Sequence, residues 1–214
     1  MSLPKTPESV VSGVVPLAVL ESPSEAERLA DALVSAGVAQ VEVALRSEGA
    51  WEAAAAILAH GGVSVGVGTV TTAEQARRAA GLGASFVVSP GFVPEVADAG
   101  AELELAYIPG VATPTEAISA RAAGYGLLKV YPVEAFGGLA LVEALAAVLP
   151  GVCFMPSGGV NAAVAPRYLA HRAVVAVSGS WMVPRRLIDD GNWDAIATLC
   201  AETRALVRTE AVTG

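Results

Sequence analysis

The chain has 214 residues, of which 54% are hydrophobic and 5% aromatic, and its formal net charge is -8. That length is comfortable for one α/β barrel, and a core dominated by Ala and Val suits close packing of helices on a sheet. The negative balance excludes nucleic acid as a partner class, since phosphate-backbone binding needs a basic face, but it leaves room for a small anion held at one local site.

From the N-terminus, a short helix is expected over 7–12 and an apolar strand over 14–20. Ser22-Pro23-Ser24-Glu25 then opens an amphipathic helix to about residue 36, with capping chemistry at its start. Strands over 41–44, 63–67, 85–88 and 104–108 alternate with helices over 47–60, 72–81, 93–100 and 114–123. The next apolar stretch carries Lys129 and is bounded by Gly124, Gly126 and Pro132. A helix over 138–149, a strand over 152–155, a helix over 161–170 and a strand over 173–177 follow. A short extra helix over 180–187 and a closing helix over 193–208 end the pattern.

This makes eight strand–helix pairs with no linker between them, hence a single domain over 1–214. Strands this apolar, separated by helices, imply a parallel sheet covered on both faces. Eight units favour closure into a TIM (β/α)8 barrel preceded by a short N-terminal helix. An open doubly wound sheet is the alternative, but no G-x-G-x-x-G follows the first strand, which weakens a dinucleotide-binding version of it. Cys153 and Cys200 lack metal-ligand spacing, and His60 and His171 stand alone, so all four read as filler. No apolar run is long enough to span a membrane, and the first twelve residues lack a leader pattern, so a soluble cytoplasmic protein is expected.

Function in such a barrel lies at the C-terminal ends of the strands. Lys129 sits in the last third of its strand, where burial would make the amine nucleophilic enough to attack a ketone and form a Schiff base. Alternation in Val41-Glu42-Val43-Ala44 turns Glu42 opposite the valines and into the barrel, where a carboxylate needs a cation or a proton. Lys129 is the strand lysine available to it. The pair is then either a structural ion pair or an amine with its proton-transfer partner. A carboxylate favours the ammonium while burial opposes it, so the two would titrate as a unit.

Other strand ends offer binding groups. Arg46 follows the second strand and matches a carboxylate with its fork. Thr69 follows Gly66-Val67-Gly68, whose glycines would let backbone approach a ligand. Pro90-Gly91 and Pro109-Gly110 give rigid rims. Ser157-Gly158-Gly159 and Ser178-Gly179-Ser180, the latter feeding the extra helix, fit a phosphate cradle of backbone N–H groups and a helix N-terminus. These residues alone leave three readings open: a lysine-dependent aldolase, a phosphosugar isomerase or epimerase on the same barrel, and a non-catalytic phosphometabolite binder.

Eight stretches in order resemble the KDPG/KHG aldolase family, whose substrates are 2-keto-3-deoxy-6-phosphogluconate and 4-hydroxy-2-oxoglutarate. They are Val14-Val15-Pro16, Val41-Glu42-Val43 with Leu45-Arg46, Gly66-Val67-Gly68-Thr69-Val70, Val88-Ser89-Pro90-Gly91, Ile108-Pro109-Gly110-Val111, Leu128-Lys129-Val130-Tyr131-Pro132, Pro156-Ser157-Gly158-Gly159-Val160 and Gly179-Ser180-Trp181. The resemblance implies Lys129 as the Schiff-base lysine and Glu42 as the general acid/base. It implies Arg46 and Thr69 at the pyruvyl carboxylate, Gly158, Gly159 and Ser180 at the phosphate, and Pro90 and Tyr131 lining the pocket. It also implies a class I reaction without metal or cofactor, a small 2-keto acid substrate and a homotrimer. Glu21 stands at the end of the first strand, where some members carry arginine, and Tyr131 stands where phenylalanine is common.

Overall fold

The computed structural model describes residues 7–208, so both ends of the domain expected over 1–214 lie outside the described residues. Helix α1 (Pro7–Val10) leads into β1 (Gly13–Ala18), α2 (Pro23–Ser35), β2 (Gln40–Ala44), α3 (Ala50–His60) and β3 (Ser64–Gly68). Next come α4 (Ala73–Leu82), β4 (Phe86–Val88), α5 (Pro94–Glu102), β5 (Ala106–Ile108) and, after Pro109, β6 (Gly110–Val111). The remainder is α6 (Pro114–Ala122), β7 (Leu127–Val130), α7 (Leu139–Val148), β8 (Cys153–Pro156), α8 (Ala165–Leu169), β9 (Ala176–Gly179), α9 (Arg185–Asp189) and α10 (Trp193–Arg208).

Local chemistry sets where the helices begin. The Ser22 side chain accepts from the Glu25 N–H to cap α2, and Thr72 with Gln75 and Thr113 with Glu116 form reciprocal capping boxes at α4 and α6. Proline in the first turn of α2, α5, α6 and α8 supplies a helical φ where no N–H is needed.

All strand pairings are parallel, as the continuous apolar runs require. Six strands lie in the order β5-β4-β3-β2-β1-β9, and a second sheet has the order β6-β7-β8. Pro109, which lacks an N–H, separates β5 from β6, yet its carbonyl accepts from the Lys129 N–H at 2.9 Å. On the other side β8 meets β9 through the single bridges Phe154↔Val174 and Ser157↔Ser178. The architecture is thus an α/β fold with curled parallel sheets, as the alternation of apolar strands and helices implied.

The curl follows from which side chains meet. Val15, Phe86, Val88, Ile108, Leu127, Met155 and Ala176, from six different strands, form one buried cluster on the shared inner face. Alternate strand positions face outward: Val41 and Val43 lie in one buried cluster with Leu29, Leu33 and Ile57, and Leu128 and Val130 in another with Val142 and Leu145. Gly66 contributes to the inner face by its lack of a side chain, since a Cβ there would lie 2.0 Å from the Phe86 ring.

Three late boundaries differ from expectation. The last strand runs over 176–179 because the chain is still turning at Val174, whose N–H donates to the His171 carbonyl. Helix α8 starts late because the Asn161 side chain accepts from the Ala163 and Val164 N–H groups, which holds a turn instead. The extra helix begins at Arg185 because Pro184 disfavours helical backbone at Val183. Residues 180–183 form a turn closed by the Val183 N–H on the Ser180 carbonyl. No helix among the described residues is long and apolar enough to cross a membrane.

Candidate active site

On β2 and β7 the period of two sends Glu42 and Lys129 inward while their valine and leucine neighbours face the helices. Lys129 is 3% exposed and Glu42 is fully buried. Lys129 Nζ donates to Glu42 Oε1 at 2.9 Å and to Oε2 at 3.3 Å. A second donor adds the third hydrogen bond: the buried Ser178 hydroxyl, on β9, reaches Oε2 at 3.1 Å. The charges therefore compensate each other, and breaking such a pair by removing one partner costs about 3–5 kcal/mol. The amine also lies 5.7 Å from the centroid of the Tyr131 ring, within cation–π range.

Gly68 makes room for this arrangement. A Cβ there would lie 2.2 Å from Glu42 Oε1 and 2.7 Å from its Cγ. The β3 glycines thus clear space for the Glu42 and Phe86 side chains. The physical reason is that β3 faces the carboxylate across the sheet register, with Glu42 opposite Gly66 and Ala44 opposite Gly68.

Around this dry centre the strand ends form an open rim. Arg46, exposed after β2, donates from Nε to Thr69 Oγ1 at 3.2 Å, so these two predicted carboxylate ligands are held together. Thr69 has φ 63, a left-handed conformation that strains a β-branched residue. Strain of about 1–3 kcal/mol of this kind persists only where surrounding structure imposes it, and it clusters at ligand clamps.

Gly158 and Gly159 are both left-handed, with φ 88 and 89. A Cβ on the first would lie 2.8 Å from Pro132 Cα, and on the second 2.7 Å from Glu134 Cβ. Both conformation and packing therefore demand glycine. The loop after β7 is fastened here by Val133 N–H on the Ser157 carbonyl and Glu134 N–H on the Gly158 carbonyl. Ser180 is exposed at the end of β9, next to this turn through the Ser157↔Ser178 bridge. The helix N-terminus expected beside it is absent, because α9 begins five residues later, after Pro184. Pro90 is exposed on the rim, packed on Gly110, where a Cβ would lie 2.3 Å from its carbonyl carbon.

At the β1 end, Arg185 donates to the Val19 carbonyl at 3.2 Å and to both oxygens of Glu25. It also contacts Asp189. This cation, unforeseen in the sequence, is spent on carboxylates and held firmly protonated by Glu25. Ser178, expected only as part of the phosphate cradle, is turned instead to Glu42. The signal was available, since Ala176 faces in and Val177 faces out, so Ser178 must face in. Among the described residues no group of three or more His, Cys, Asp or Glu is placed to hold a metal ion. A cavity of about 440 Å³ opens near the start of β1 and β2, lined by Ser12, Gln40, Cys200 and Arg204 among others, and contains none of the predicted site residues.

A parallel α/β fold with an amine and a carboxylate joined in its interior defines an enzyme of carbonyl chemistry. Residues 9–199 match the family described as KDPG and KHG aldolase. The 2-dehydro-3-deoxy-phosphogluconate aldolase of Treponema pallidum is 40% identical over 195 residues, covering 91% of this chain and 93% of that protein. The KHG/KDPG aldolase of Escherichia coli K12 is 36% identical over 190 residues, covering 88% and 89%. A crystal structure of KDPG aldolase from Legionella pneumophila, with pyruvate captured as a covalent carbinolamine, has a TM-score of 0.89 at 35% identity, covering 93% of this chain and 98% of that one. The chain belongs to the KDPG/KHG aldolase family.

Proposed function

We propose that this protein is a class I aldolase that reversibly cleaves 2-keto-3-deoxy-6-phosphogluconate to pyruvate and glyceraldehyde 3-phosphate, and that it also accepts 4-hydroxy-2-oxoglutarate. The observation that carries this reading is the buried 2.9 Å contact between Lys129 Nζ and Glu42 Oε1. A proton passed across that contact leaves a neutral amine in a dry site beside a carboxylic acid. The amine attacks the C2 ketone to give a carbinolamine, Glu42 gives its proton to the carbinolamine hydroxyl, and loss of that group as water leaves an iminium with Lys129. The C3–C4 bond then breaks and its electron pair flows into the iminium, giving an enamine. Glu42, now a carboxylate, takes the C4 hydroxyl proton as the aldehyde forms, and returns a proton to the enamine carbon. Water releases pyruvate and the free amine. Proton transfer by a positioned group contributes about 10²–10⁴-fold.

In this reading Arg46 and Thr69 hold the substrate carboxylate, with the Arg46 Nη groups as donors beyond the one used on Thr69. Gly158, Gly159 and Ser180 hold the phosphate through backbone N–H groups in a left-handed turn, which supplies an anion nest without net positive charge. Pro90 and Tyr131 line the pocket. The two sheets form a closed (β/α)8 barrel in a single domain. The support for closure is the Pro109 link on one side, the two bridges on the other, and the inner cluster drawn from six strands. Exposed Ile118, Phe136 and Val148, on and between the elements flanking β7, support assembly into the homotrimer usual in the family. Sedimentation velocity tests that point.

The decisive experiment is incubation with pyruvate and borohydride, followed by peptide mass analysis. Reduction fixes the pyruvyl group on Lys129, and Lys129→Ala gives neither adduct nor cleavage. An active parent protein that forms no adduct refutes the imine route.

A further inference from the structure

We propose that Ser178 is a positioning residue for proton transfer, whose hydroxyl keeps the Glu42 carboxylate aimed at the reacting carbon while Lys129 is covalently occupied. The inference rests on the aldolase reading above. Among the described residues the hydrogen-bond donors to Glu42 are Lys129, at 2.9 and 3.3 Å, and Ser178, at 3.1 Å. The lysine is not a constant partner. Once its nitrogen joins the substrate it has at most one N–H left, and that nitrogen is tied to the position of C2. The carboxylate must then act twice, at the C4 hydroxyl and at the enamine carbon, without the donor that held it in the resting enzyme.

A glutamate arm has three rotatable bonds and would swing if released. Ser178 prevents this from a rigid base. Its backbone pairs with Val15 of β1 on one side and bridges to Ser157 on the other, and its side chain is fully buried. A neutral donor suits the task, since it orients the carboxylate without adding a charge that would compete with Lys129 for it. A donor fixed on a strand costs no reorganisation when the reaction comes.

The test separates imine formation from proton transfer. Imine formation is read by borohydride trapping with pyruvate, and proton transfer by deuterium uptake into the pyruvate methyl group in heavy water, followed by NMR. Ser178→Ala and the near-isosteric Ser178→Cys, a weak donor, are compared with Ser178→Thr, which keeps the hydroxyl. Loss of one hydrogen bond to a charged group slows exchange about tenfold in the Ala and Cys variants, with trapping kept within about twofold of the parent. The Thr variant exchanges close to the parental rate.

Parental exchange in Ser178→Ala or Ser178→Cys overturns the proposal. So does a parallel fall of trapping and exchange in both, which marks a merely structural role, or a Ser178→Thr variant as slow as Ser178→Ala. Absence of trapping in the parent protein would instead overturn the aldolase reading itself.

Discussion

Gly68→Ala is a sharp test of the site because it adds one methyl group and removes nothing. The glycine's φ is not in the left-handed region, so alanine brings no backbone strain. Its Cβ would arrive 2.2 Å from Glu42 Oε1, 2.7 Å from Cγ and 2.9 Å from Cδ. Ordinary contact begins at 3.4 Å, so the nearest oxygen must retreat by 1.2 Å, the difference between 3.4 and 2.2. That oxygen is the one 2.9 Å from Lys129 Nζ. Inner packing leaves little room for the retreat, so overpacking costs about 1–3 kcal/mol of stability.

The functional loss is expected to be larger than the loss of stability. A misplacement of about 1 Å of a catalytic group costs on the order of 10²-fold in rate. The assay is pyruvate release coupled to lactate dehydrogenase, with melting temperature measured on the same preparation. We expect kcat to fall about 100-fold while KM changes little, because Arg46 and Thr69 are untouched. A Gly68→Ala variant with parental kcat would refute the claim that this contact positions the carboxylate for chemistry.

Three further outcomes follow from individual side chains. Thr69→Gly relieves the left-handed strain and is expected to raise stability by about 1 kcal/mol, while losing the hydroxyl that holds Arg46 raises the keto-acid KM about tenfold. Thermal melts and steady-state kinetics check both, and an unchanged KM contradicts the clamp. Hydrogen bonding from Arg185 holds Glu25 below the ordinary carboxylate value of 4.5. A depressed folded value means the stabilisation is present above that pH and is lost as pH falls through the folded value, so the Tm gap between parent and Arg185→Gln should close on acidification. Burial pushes the Cys200 thiol up to about 12, so thiol reagents at mildly alkaline pH should leave it unmodified until denaturant is added. Alkylation of Cys200 in native protein contradicts this.

The elements that hold the buried pair were legible because alternation is a strong local signal. Glu42 among valines and Lys129 among leucine and valine admit one inward assignment each, and an acid buried opposite a lone strand lysine leaves little choice of partner. The start of α2 was legible because a capping residue, Ser22, announces it. What the sequence concealed depends on tertiary geometry. The left-handed φ of Thr69 is imposed by its neighbours and contradicts its own preference. The purpose of Gly68 lies in the bulk of a side chain on the adjacent strand. The late start of α9 follows from Pro184, which disfavours helical backbone at Val183, whereas the helix N-terminus was expected at Ser180. The break at Pro109 was read as a rim turn, although its missing N–H also interrupts a ladder.

The location of the buried pair has a consequence for how the site is held. Glu42 belongs to the six-stranded sheet and Lys129 to the three-stranded one. Their 2.9 Å contact therefore crosses between two hydrogen-bonded units whose backbone ties are few: Lys129 N–H on the Pro109 carbonyl, and the bridges from β8 to β9. A continuous ladder would fix the distance by backbone register. Here the inner cluster of Phe86, Ile108 and Met155 must fix it, because those side chains also come from both sheets. Close packing resists changes of a single methylene, so a core of this kind transmits small shifts without absorbing them. Ser178 stands at the one seam where the sheets meet directly, on the six-stranded side. Its bond to Glu42 thus ties the carboxylate to its own sheet, and Lys129 holds the same carboxylate from the other one.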